Sequence, residues 1–131
     1  MLPDPFPEDV CRFLDSNIES IDQLEILRVL GEDPGREWTA AALAEEIQGP
    51  PAGMAAHLSA LGGRGLVAAE SRGGEAVCRY APATPQVDAM VKRLLQCYRE
   101  RPVSMIKLVY ARAADPLRAF ADAFRLRKEE G

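Results

Sequence analysis

The stretch WTAAALAEEIQGPPAGMAAHLSALGGRGL, from Trp38 to Leu66, leaves a chain few ways to fold. Apolar residues recur at helical spacing on both sides of a turn-forming QGPP. Thr39 suits an N-cap ahead of AAALAEEI, whose Leu43, Ala44 and Ile47 share one face. Beyond the turn, Pro51 suits the first position of a second helix, because the N–H it lacks has no partner there anyway. Met54, Leu58 and Leu61 fall at i, i+4 and i+7 and define that helix's buried stripe. GGRGL stops it. LVAAES and AVCRYA follow, separated by Arg72, Gly73, Gly74 and Glu75, a pattern that predicts a β-hairpin with a glycine turn.

The flanks read as helices. In FPEDVCRFLDSNI, the residues Phe6, Val10, Phe13, Leu14 and Ile18 lie at helical spacing. Pro7 suits its first position, and Glu8 and Asp9 suit the positive end of the helix dipole. In SIDQLEILRVLGEDPG, Ser20 and Gln23 have capping-box spacing, and Ile21 to Leu30 supply a broad apolar surface. Gly31 and Pro34 predict its stop. After Pro82 and Pro85, a third flanking helix carries Val87, Met90, Val91, Leu94 and Tyr98 on one face and ends near Arg99–Arg101. PVSMIKLVYAR then offers Val103, Ile106, Val109 and Tyr110 as a stripe. Asp115 is the expected cap of a last helix bearing Leu117, Phe120, Ala121 and Phe124.

This divides the 131 residues into an N-terminal helical arm (1–19), a central domain (20–82) and C-terminal helices (83–131). The apolar stripes of the outer segments exceed what a small central domain needs, so they are expected to pair two copies or to receive a partner.

Charge is uneven. Residues 1–48 hold 12 acids and 3 bases, 49–82 hold 2 and 3, and 83–131 hold 6 and 10. Such asymmetry gathers positive potential on one side or docks acidic and basic segments together. The acidic, proline-rich start is unlike a secretory signal, and no apolar run nears the ~18 residues of a membrane span. A cytoplasmic bacterial protein is expected. Cys11, Cys78 and Cys97 are odd in number, widely spaced and without a CxxC pair, which reads as reduced packing thiols.

Helix, extended link, helix, turn, helix and hairpin, from Ser20 to Ala81, resembles the winged helix-turn-helix of transcriptional regulators of the multiple-antibiotic-resistance and arsenic-repressor type. WTAAALAEEI resembles the first helix of the motif, GPPAGMAAHLSALGGRGLV the second with its entry into the wing, and RGGEAVCRYAP the wing and its exit. YRERPVSMIKLVYARAADPLRAFADAFRLRK is similar to a group of bacterial winged-helix proteins. The resemblance implies a mainly α fold with a small β-hairpin: a winged helix-turn-helix with extra N- and C-terminal helices. It also implies that the second helix enters the major groove and the wing touches an adjacent groove or backbone.

On that helix the outward positions are Ala52, Gly53, Ala56, His57, Ser59 and Ala60. Only His57 and Ser59 among them can hydrogen-bond a base edge or phosphate. No arginine or lysine is there to make the bidentate guanine contact, worth roughly 1–3 kcal/mol of discrimination. Arg64 past the helix end, Arg72 at the hairpin tip and Arg79 on the returning strand are expected to contact phosphates, which orient a protein without specifying sequence. The expected DNA-binding set is therefore His57, Ser59, Arg64, Arg72 and Arg79, on a regulator with weak direct base readout. The alternative is a winged-helix adaptor that binds protein and not DNA, a use for which a smooth alanine face is suited.

Catalysis is not expected. The single His57 has no nucleophile beside it, and Ser59 at i+2 points away from it on a helix. No elbow, phosphate-binding loop or metal-ligand spacing is present, so neither cofactor nor metal is expected. The charged tail beginning at Asp115 mixes both signs, which argues against a membrane-surface helix.

Overall fold

The protein is described by a computed structural model covering residues 6–113. In chain order it forms α1 (Glu8–Asn17), α2 (Ile21–Glu32), β1 (Trp38–Thr39), α3 (Ala40–Ile47), α4 (Met54–Gly63), β2 (Val67–Arg72), β3 (Glu75–Tyr80), α5 (Pro85–Glu100) and α6 (Pro102–Ala113). The three strands pair antiparallel in the order β1-β3-β2. Three helices set against a hairpin that a short strand widens define a winged helix-turn-helix, here extended by α1, α5 and α6.

Caps fix the starts. The hydroxyls of Ser20, Thr39 and Thr84 accept from the backbone N–H of Gln23, Ala42 and Val87 at 3.1–3.2 Å. Each satisfies a donor that the first helical turn leaves without a partner. α2 is the central post. Its Leu24, Ile26, Leu27 and Leu30 are fully buried, and it touches α3, α4, α5, α6 and β3. One apolar cluster runs from Phe6 to Val109, so α1, α5 and α6 share their core with the winged unit. Asp9 pairs with Arg93 of α5, and Asp15 pairs with Arg112 of α6, which ties α1 to both. The Tyr80 hydroxyl donates to Asp88 at 2.7 Å, joining the end of the sheet to the first turn of α5. That bond, with Lys92 alongside, holds the Asp88 carboxyl below its usual range.

Four sequence expectations need correction. Gly31 does not stop α2 but sits inside it; a Cβ there would lie 2.9 Å from Leu95 Cδ1, so the glycine lets α5 approach. The stop comes at Asp33, ahead of Pro34. Pro51 does not begin α4. The chain turns through Pro51–Gly53, and Gly53, at φ 89°, is the N-cap before Met54. Pro7 likewise is the N-cap of α1 and not its first residue. On α6, Met105 and Val109 are the buried positions, whereas Val103 and Tyr110 are 64% and 63% exposed. The expected last helix from Asp115 lies outside the described residues.

Cys78 is buried, and burial pushes its thiol up to about 11, so it is protonated at neutral pH. Cys11 is buried too, and Cys97 is half-buried with its thiol raised chiefly by burial. No helix among the described residues is long and apolar enough to cross a membrane.

Candidate nucleic-acid interface

α4 is held by its inward stripe. Met54, Leu58 and Leu61 are 2% exposed or less, which fixes the opposite face outward. Ala52, Gly53, Ala55, Ala56 and Ser59 are exposed, and His57 and Ala60 are half-buried. The result is a smooth strip with one exposed hydroxyl, Ser59. Small side chains let a groove wall or another backbone come close to it.

His57 does not stand free on that strip. Its Nδ1 lies 3.2 Å from Nε2 of Gln23, a residue only 2% exposed. Gln23 Oε1 accepts from the Glu19 backbone N–H at 2.9 Å and from Arg64 Nη1 at 3.2 Å. With its oxygen committed to two donors, the amide presents NH2 to His57, so Nδ1 accepts and the ring proton of neutral His57 sits on Nε2. Nε2 in turn faces Asp22 Oδ2 at 3.9 Å. Arg64 completes the same network. Besides Gln23, it donates to the Asn17 carbonyl at 2.6 Å and pairs with Glu19. Its guanidinium thus ties the end of α4 to the α1–α2 link. The expected capping box at Ser20 is extended: Gln23 reaches one residue further back, to Glu19, and across to two other elements.

The wing carries the other two cations. Arg72 pairs across the hairpin with Glu75, and Gly73 and Gly74, both at positive φ (59° and 83°), make the two-residue turn. Side chains alternate along strands, so the register places Ala68, Glu70 and Arg72 of β2 on one face with Arg79, Val77 and Glu75 of β3. Glu37, just before β1, joins that face opposite Arg79. On the other face, Trp38, Val67, Cys78 and Tyr80 are buried. On the outer face, Arg72 donates to both Glu37 oxygens, at 3.0 and 2.8 Å, and also pairs with Glu70. Arg72, with Arg79 adding to the effect, holds the Glu37 carboxyl below its usual range. Arg79 itself is exposed. Arg36, which sequence patterning did not single out, stacks over Trp38 at 3.7 Å from the ring centroid.

Of the five residues expected to contact DNA, the structure thus gathers His57 and Arg64 around Gln23, puts Arg72 and Arg79 on the wing's outer face, and leaves Ser59 alone on the α4 strip. The sequence does not single out the partners Glu19, Asp22, Glu37 and Glu70, and it offers Gln23 only as a capping-box residue. Glu70 was legible: two residues before Arg72 in a strand, it must share its face. Among the described residues, no group of three His, Cys, Asp or Glu side chains is placed to hold a metal ion.

The sequence matches no family model and no curated protein. Among solved structures, the chain is similar to reduced HlyU from Vibrio cholerae, with 19% identity, a TM-score of 0.48, and coverage of 71% of this chain and 87% of that one. It is also similar to ZitR from Lactococcus lactis in its C30AH42A mutant form, with 15% identity, a TM-score of 0.49, and coverage of 93% and 90%. At such identities the likeness is one of general chain course, and nothing those proteins bind is carried to this chain.

Proposed function

We propose that the protein is a DNA-binding transcription regulator of the bacterial cytoplasm, acting as a homodimer. It holds a duplex by shape and backbone contacts, with little direct base readout. The observation that supports this most is the free outward strip of α4 in a winged unit whose hairpin exposes Arg72 and Arg79. Ser59 is the group on the strip itself able to meet a base edge or phosphate. His57 and Arg64 serve from behind, by holding α4 against α2.

The adaptor reading has its own support. Residues 20–82 hold nine acids against five bases, and the carboxylates of Asp22, Glu19, Glu37 and Glu70 lie beside the very groups expected to meet phosphate. A basic or neutral protein face would suffer no repulsion there.

Salt separates the two. If the duplex is held at two to four phosphates per dimer, log K falls with log salt at a slope of about −2 to −4. Anisotropy titration of a labelled duplex at several salt concentrations is expected to show that slope, with similar affinity for unrelated sequences. A protein silent toward DNA even at about 50 mM salt, yet recovering one stoichiometric, nuclease-insensitive protein partner, is the adaptor.

A further inference from the structure

We propose that Glu37 and Glu70 act as an internal stand-in for DNA phosphate, an autoinhibitory clamp that occupies Arg72 in the free protein and holds down its affinity for a duplex. This rests on the DNA-binding reading above and adds a regulatory contact to it.

The geometry is that of a phosphate contact already made. Glu37 presents both oxygens to the Arg72 guanidinium at 2.8 and 3.0 Å, the two-pronged arrangement that arginine offers a phosphate. Glu70, on the same strand as Arg72, pairs with Nη2, which Glu37 also engages. Between them they engage the Nη1 and Nη2 groups that a backbone phosphate would use.

The clamp is also open to exchange. The side chains of Arg72, Glu37 and Glu70 are 54%, 45% and 58% exposed, so a phosphate reaches the guanidinium without any group leaving a buried site. Exposed pairs of this kind are weak and screened by salt. Opening therefore costs little in the fold, but each carboxylate left behind repels the incoming phosphate. A lone surface pair would only occupy the arginine. Two acids from two elements, converging on the wing-tip cation, both occupy it and charge its surroundings negatively. Arg79, on the same face, then meets phosphate in the field of Glu37.

The test compares the full-length protein, the E37Q/E70Q double variant, the same variant with R72Q added, and an E8Q/E100Q control. The control removes the same charge from α1 and α5. Each is titrated against a labelled duplex of roughly 20 base pairs across a salt series. The clamp predicts that E37Q/E70Q binds about tenfold tighter than the unaltered protein at low salt, with a slope steeper by about 0.9 for each phosphate gained. Adding R72Q is expected to cancel the gain, and the control to reproduce little of it. Equal tightening by the control, or a gain that survives R72Q, overturns the clamp and leaves the DNA reading intact. If no form binds at any salt concentration, the DNA reading falls and the clamp with it.

Discussion

Leu61→Ala is expected to lower the unfolding free energy by about 3–4 kcal/mol, within the usual range for a fully buried leucine. Leu61 is 0% exposed and packs within the stripe of α4 that also holds Met54 and Leu58. Truncation removes its transfer free energy and leaves a cavity between α4 and the rest of the core. The neighbouring Leu66, whose N–H donates to the Leu61 carbonyl at 3.1 Å, starts the entry into the wing. Loosening Leu61 therefore disturbs the spacing of α4 and wing together. Ser59→Ala, two positions away on the exposed strip, is expected to change stability by no more than about 0.5 kcal/mol. Denaturant melts of the two variants give the contrast directly. A comparable loss from both would mean that the strip is not a free surface.

Gln23→Ala comes next in size, at about 3 kcal/mol. A buried amide that accepts from an arginine and a backbone N–H and donates to an imidazole leaves three groups to find new partners when it goes. Of these, Arg64 keeps Asn17 and Glu19, so the loss stays below the sum of three bonds. Gln23→Leu restores volume but not polarity and is expected to recover less than half. Thermal melts that place Gln23→Ala within about 1 kcal/mol of the parent would show that the network does not hold α4.

Local rules read most of the frame. Met54, Leu58 and Leu61 followed helical periodicity, Ser20 and Thr39 capped where their chemistry placed them, and Gly73–Gly74 made the turn between strands. Where sequence reading went astray, the deciding contact was distant. Gly31 resembles a helix stop until Leu95 of α5 is brought against it. Arg64 resembles a solvent-facing cation until Asn17, 47 positions away, presents its carbonyl. On α6 the expected stripe holds at Val109, which is buried, and at Ile106, which is half-buried, but Val103 and Tyr110 face solvent and Met105 takes the buried place. Periodicity gave the helix and not its rotation. The site was less legible than the fold for a related reason. A cation's availability depends on which carboxylates fold up beside it, and Glu37 reaches Arg72 from another strand's entry.

The most direct measurement is amide chemical-shift mapping as a duplex is added to the labelled full-length protein. Ala55, Ala56 and Ser59 on α4, and Arg72 and Arg79 on the wing, are expected to shift together and to return as salt is raised. Shifts confined to α5 and α6, or an unchanged spectrum at low salt, would contradict the assignment of this face to DNA.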